Sequence, residues 1–341
     1  MGILYIAGER PGAGATSVAV ALATLWRRAG SRVAVVKPAV SEEHDPDPGF
    51  FMRALGGPTD KPFVINQSKE MIQAIADRVL PLSEKADVVI VEGLPFTSDN
   101  GAHNNLSPAL AKRLGARVLG VLPYHRTVDS FSAAAWREAY TSSLAGVIVN
   151  RRTIHGKHDS ATRLVPAFEE AGVSVFGTLG EERLLLAPTI QQVSDLLDGT
   201  FYAGASGNQE LVEHFLIGGL ITEWGGGYFG RLDNQAILVR GGRTDIQMAA
   251  LNFPLNGMFL TGCQKPPQYV HQRAADLDVP LVVVEHDTFA ATTLLETLQR
   301  EVSIDHPSKI NLLAKMVRDA VDITSMESAA GLRGGEGFPW S

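Results

Sequence analysis

A run of five or six residues that is almost wholly apolar can serve as a strand only where both faces of its sheet are covered. The first 180 residues hold six such runs: 2–7 (GILYIA), 32–36 (RVAVV), 87–91 (DVVIV), 117–122 (RVLGVL), 144–149 (LAGVIV) and 173–178 (VSVFGT). Continuous rather than alternating apolar patterns mark strands of a buried parallel sheet. Stretches with helical periodicity separate them at 16–28, 71–82, 106–114 and 131–141. The alternation predicts an α/β fold with a doubly wound, mostly parallel sheet. Ligand loops of such a sheet lie at the carboxyl ends of its strands.

A second α/β pattern follows a small, polar stretch at 199–208 (GTFYAGASGN), which reads as a boundary. Strands are expected at 236–239, 257–260 and 281–284. Helices are expected at 244–251, capped by a threonine or aspartate, at 268–277 and at 310–321. The expected organisation is a first domain over 1–200, a smaller domain over 208–322 and a flexible tail over 325–341. The tail ends in FPW, so a docking peptide is the other reading of it. A length of 341 residues suits two domains, and 45% apolar residues suffice for cores without covalent staples.

Charge and cysteine usage narrow the function. A net charge of -7 argues against nucleic acid or an anionic membrane surface as a partner. The single cysteine, Cys263, permits no intramolecular disulfide and no cysteine-based zinc site, which fits a cytoplasmic setting. The amino terminus lacks the basic region and the length of a signal peptide. No apolar run approaches the roughly 18 residues a spanning helix needs.

Between the first strand and the first helix lies Gly8-Glu9-Arg10-Pro11-Gly12-Ala13-Gly14-Ala15-Thr16-Ser17. Glycines let backbone amides approach an anion there, and the helix amino terminus adds its positive dipole end. Thr16 stands where a hydroxyl reaches magnesium, but Ala15 replaces the lysine that clamps the β and γ phosphates. Arg10 and Lys37 are the nearby cations able to substitute. The bland alternative is a glycine-rich turn without a ligand.

These residues carry a family likeness. The loop GERPGAGATS, then VAVVKP, DVVIVEG and GVIVN, together resemble the dethiobiotin-synthetase-like P-loop fold. The segments at 181–189 (EERLLLAPT), 238–251 (LVRGGRTDIQMAAL), 259–262 and 284–288 are similar to the DRTGG domain that follows such a fold in the N-terminal region of long-form phosphotransacetylases. The resemblance covers most of residues 2–322. It implies a P-loop-type sheet followed by a DRTGG domain, and a homodimer. The acetyl-transfer activity is not carried over, because the catalytic domain of that group has no counterpart here.

Each candidate residue has two readings. The resemblance implies that Lys37 contacts phosphate; otherwise it is a surface lysine closing a strand. Glu92, after the apolar run 88–91, is a carboxylate that burial penalises unless a cation or donor meets it. It reads as a magnesium ligand, or as a partner of helix amides. Asp45 and Asp47 lie in an acidic, proline-containing segment. Asp45 joins Thr16 and Glu92 in the expected metal set, against an extended surface loop. By resemblance, Asn150 reads an adenine edge, with strand termination as its alternative. The nucleotide site thus expected comprises Arg10, Pro11, Gly12, Ala13, Gly14, Ala15, Thr16, Ser17 and Asn150. In the second domain Arg243, Thr244, Asp245, Thr261 and His286 form the candidate site for a small anion, against an internal Arg243–Asp245 pair.

Three functions are compatible with this pattern. The first is a nucleotide-binding regulatory or sensor protein that holds ATP or ADP with magnesium without efficient turnover, acting on a protein partner. The second is an ATP- and magnesium-dependent enzyme of the dethiobiotin-synthetase type, with Lys37 catalytic. The third is a ligand-free interaction scaffold, in which side chains such as Arg10 pack across the loop and occlude it.

Overall fold

The computed structural model describes residues 2–40, 45, 47–56, 61–65, 69–97, 104–128, 130–219, 225–298 and 302–332. The chain divides into two compact units: Met1–Glu181 with Asp305–Ser341, and Glu182–Ile304.

The first unit contains the expected six-stranded, all-parallel sheet. Its order is Val33–Val36, Val88–Glu92, Gly2–Gly8, Arg117–Pro123, Leu144–Arg152 and Val175–Gly180. Leu4, Tyr5, Ile6 and Ala7 are successive residues with no exposed surface, so both faces of the central strand are covered. That is why its sequence does not alternate. The chain winds outward from Gly2–Gly8 in one direction and, after Val88–Glu92, in the other. This brings the loops after the first three strands together at one edge of the sheet.

Two sequence expectations change here. The acidic segment read as extended begins a helix, Asp47–Leu55. Pro48 falls in its first turn, where no intrahelical N–H is needed, so it does not break the helix. Residues 41–44 and 46 lie outside the described residues.

The second change concerns the carboxyl-terminal part. Pro307–Ala320, read as closing the second domain, packs against Ala15–Arg28 and Val175–Gly180 in the first unit. Val321 bridges Gly177, where a Cβ would lie 2.2 Å from the Ala320 carbonyl oxygen. The residues from 325 to 332 are not a loose tail. Ile323–Ala329 is a helix, and Trp26 Nε1 donates to Glu327 Oε1 at 2.5 Å. Helical amphipathicity reveals that one face is buried but not against which partner. Residues 333–341, with the FPW end, lie outside the described residues.

The second unit has a five-stranded sheet in the order His214–Ile217, Gln235–Arg240, Gly257–Thr261, Leu281–Val283 and Thr200–Ala203. The first four are parallel and the last is antiparallel. Thr200–Ala203 lies inside the stretch read as a linker, so the boundary falls at Glu181/Glu182 instead. Ile237, Val239, Met258 and Leu260 face Ile246, Ala250, Val270 and Ala274 in one core. Ala236, Leu238, Phe259 and Val282 face Ile190, Val193, Ala291 and Leu295 in the other. Successive residues thus serve opposite faces, as the pleat requires. The helix Thr244–Ala250 starts after Arg243 with no side-chain cap, contrary to expectation. Thr189 instead caps Ile190–Leu196 in a reciprocal pair with Gln192. No helix among the described residues is long and apolar enough to cross a membrane.

Leu313, 3% exposed, lies on Pro307–Ala320. Leu313→Ala should therefore cost about 2–5 kcal/mol in urea denaturation of the full chain. A loss below about 1 kcal/mol would contradict a buried seam between this helix and the rest of the first unit.

Candidate functional site

The carboxyl end of Gly2–Gly8 leads into a tight loop in which Ala13 N–H donates to the Arg10 carbonyl at 3.1 Å. Neighbouring strands hold its root. Glu9 N–H donates to the Val121 carbonyl, and Phe96 N–H to that of Gly8, each at 2.7 Å. Gly14 has φ of 100°, and a Cβ there would stand 2.1 Å from Asn150 Nδ2. Only glycine meets both demands. Asn150 Nδ2 donates to the Ala13 carbonyl at 3.0 Å, and Asn150 Oδ1 accepts from Arg151 N–H at 2.9 Å. In this structure the amide expected to read adenine staples the loop. Arg10, Pro11 and Gly12 are exposed, Ala13 is buried, and Gly14, Ala15, Thr16 and Ser17 are half-buried.

Where the helix begins, five side chains converge. Thr16 Oγ1 lies 3.0 Å from Asp47 Oδ2 and 2.9 Å from Glu92 Oε1. Lys37 Nζ lies 2.7 Å from Asp45 Oδ2, 2.6 Å from Asp47 Oδ2 and 3.2 Å from Glu92 Oε1. One ammonium faces three carboxylates, so the cluster carries an excess of two negative charges when all are ionised. Burial pushes the Glu92 carboxyl up to about 7, with Lys37 opposing and Asp47 adding to the rise. Burial acts to lower the Lys37 ammonium, but Glu92 and Asp47, with hydrogen bonds to Asp45 and Asp47, outweigh it and leave it raised. Thr16 has one hydroxyl hydrogen and cannot serve both carboxylates at once. A proton on Glu92 relieves that competition. Glu92 Oε2 is buried without a hydrogen-bond partner among the described residues.

The sequence placed Lys37, Thr16 and Glu92 in one site, and the structure brings them into contact. Asp45 reaches Lys37 and accepts from Asp47 N–H at 2.9 Å, but it is Asp47 that touches Thr16. Its place at the start of a helix, invisible in a proline-rich acidic run, sets it there. Among the described residues, no three carboxylate, imidazole or thiolate groups form a ready-made metal cage. Behind Glu92, Tyr5 Oη accepts from Leu94 N–H at 2.9 Å and meets Ser107 Oγ at 3.0 Å. Gly93 packs on the Tyr5 ring, where a Cβ would stand 2.0 Å from Cζ. The strand end bearing Glu92 is thereby fixed.

In the second unit, Arg243 and Thr261 line a cleft of about 280 Å³ with Arg240, Gly241, Gly242 and Gln264. Arg243 forms a two-pronged pair with Asp245, at 3.0 and 2.8 Å. Thr244 is the first helical residue. Thr261 Oγ1 meets Thr288 Oγ1 at 2.8 Å. His286 Nε2 lies 3.9 Å from Asp198 Oδ2 and does not line the cleft. Arg240 and Gln264 were not singled out from the sequence, although the Gly241-Gly242 pair beside Arg243 was the available signal.

Comparison with known proteins agrees with this layout. The AAA domain family (AAA_26) matches residues 3–189, more than half of the chain, and the DRTGG domain matches 192–298. A phosphate acetyltransferase of Pseudomonas putida is 24% identical over 97% of this chain and 52% of its own length. That of Deinococcus radiodurans is 23% identical over 94% and 50%. The chain spans about half the length of these curated relatives. Hydrogenobyrinate a,c-diamide synthase of Pseudomonas aeruginosa is 33% identical over 43% of this chain and 33% of its own. Among solved structures, the signal recognition particle 54 kDa protein of Aeropyrum pernix with GDP is 20% identical, covers 53% of this chain and 42% of its own, and has a TM-score of 0.40. The CBS and DRTGG domains of Clostridium perfringens pyrophosphatase are 14% identical over 37% of this chain and 53% of that one, with a TM-score of 0.31. Residues 3–189 and 192–298 together show that the chain belongs to the AAA_26 family, a dethiobiotin-synthetase-like P-loop domain, and carries a DRTGG domain after it.

Proposed function

We propose that this chain is a cytoplasmic, nucleotide-binding regulatory protein that holds ATP or ADP with magnesium at the glycine loop and turns it over poorly. The observation that carries this reading is the convergence of Thr16, Asp47, Glu92 and Lys37 beside the loop. Magnesium takes oxygen ligands. Thr16 Oγ1, Asp47 and Glu92 offer them, and the unpartnered Glu92 Oε2 is an acceptor awaiting a donor or a cation. These three residues would hold the ion, which would neutralise phosphate charge. Lys37 would then be released to face the phosphates. Ala15 leaves the loop without its usual lysine, so binding is supported better than transition-state stabilisation. A homodimer and a protein partner belong to the same proposal.

The test is a thermal melt with and without nucleotide and magnesium. Nucleotide at about 100 times its dissociation constant should add about 2.7 kcal/mol of stability. The shift should shrink in Arg10→Ala and Lys37→Ala. No shift at any nucleotide concentration would sink the reading.

The burial of Lys37 among acceptors also favours a second reading, an enzyme activating a carboxylate or carbamate. It predicts magnesium-dependent ADP release that Lys37→Ala and Glu92→Gln abolish. Folded protein with no such release excludes it.

Glu92 gives a pH prediction for the metal-free protein. Its folded-state value of about 7 exceeds the ordinary 4.5, so the folded state holds a proton that the unfolded state has released between these values. Stability from this group is full below about 4.5 and falls as pH rises towards about 7. Glu92→Gln should flatten the melting temperature across that window. An unchanged slope would show that Glu92 is ionised throughout.

A further inference from the structure

The second unit holds a cleft for which the phosphate loop has no use. It sits at the carboxyl edge of Gln235–Arg240 and Gly257–Thr261, with a volume of about 280 Å³. We propose that this cleft binds a small phosphate-bearing anion and is the effector site of the protein. The inference rests on the regulatory reading for its purpose, and its test separates the two.

Among the described residues, the lining has two guanidiniums and no carboxylate. Arg243 is charge-balanced by Asp245. Arg240 is exposed and makes no ion pair among the described residues. A guanidinium at a concave edge without a carboxylate suits an oxyanion, which its planar fork can bind with two parallel bonds.

The backbone is arranged for the same sign of charge. Gln247 is fully buried, and its Nε2 donates to the carbonyls of Arg240 and Gly241, each at 3.0 Å. Those oxygens, which would repel an anion, are committed beneath the loop. The Gly242 N–H has no protein acceptor among the described residues. A Cβ at Gly241 or Gly242 would stand 2.6 or 2.9 Å from Gln264 atoms, so glycine keeps the two loops this close. Pockets for drug-sized molecules run from about 300 to 1,000 Å³. The cleft falls just below that range and suits inorganic phosphate or a small phosphate ester.

The experiment is a thermal melt of the full chain titrated with inorganic phosphate, with chloride at matched ionic strength, for the wild type, Arg240→Ala, Arg240→Lys and Thr16→Ala. A saturable rise is expected in the wild type and in Thr16→Ala. Arg240→Ala should weaken the apparent affinity about tenfold or more, as loss of a charge-assisted bond does. Glycerol 3-phosphate binding tighter than phosphate marks an ester as the ligand, and the reverse marks the free ion. A non-saturating rise, equal affinity in Arg240→Ala, or loss of the rise in Thr16→Ala overturns the proposal. Should Arg240→Ala fail to fold, Arg240→Lys decides, because wild-type affinity without the guanidinium fork also overturns it. A phosphate response without any nucleotide response would instead sink the nucleotide reading and leave this site standing.

Discussion

The Lys37 ammonium, held among Asp45, Asp47 and Glu92, is the contact on which the proposed nucleotide site depends. Three carboxylates crowded around one site repel one another, and burial raises the cost of the charge on Glu92. The lysine lowers that cost, and a proton on Glu92 lowers it further. The cluster joins the start of the loop helix, the end of the second strand, the start of the Asp47–Leu55 helix and the end of the third strand. Any ligand that changes the charge there acts on all four elements at once.

The same arrangement accounts for what Ala15 means. A loop lysine would place a cation directly on the phosphates. Here the half-buried Lys37 is already engaged by acceptors, while Arg10 is exposed in the loop. A nucleotide with magnesium would exchange partners with Lys37 rather than meet a cation ready for it. That exchange supports binding responsive to metal and pH more than rapid turnover.

Much of the first unit was legible because its strands are nearly uninterrupted apolar runs. Each of the six appears within two residues of its expected start, and a carboxylate after such a run, Glu92, stood out for the same reason. The second unit was harder. Thr200–Ala203 is an edge strand in a small, polar stretch, and His214–Ile217 is only four residues long. Pro307–Ala320 had the right periodicity and the wrong assigned partner, since periodicity carries no information about which distant surface a helix covers. Asp47 was visible as an acid, but its contact with Thr16 depends on a helix that prolines had seemed to forbid. Asn150 was picked out as a base reader by resemblance; its contact with Ala13 in the loop was not legible, because it depends on close packing against Gly14.

The most direct measurement is calorimetric titration of ADP into the protein with and without magnesium, repeated on Thr16→Ala. The account predicts saturable binding that magnesium tightens in the wild type and no longer tightens in the variant. Equal affinity with and without the ion would contradict a cation site at Thr16, Asp47 and Glu92, and would leave the buried cluster a structural ion network alone.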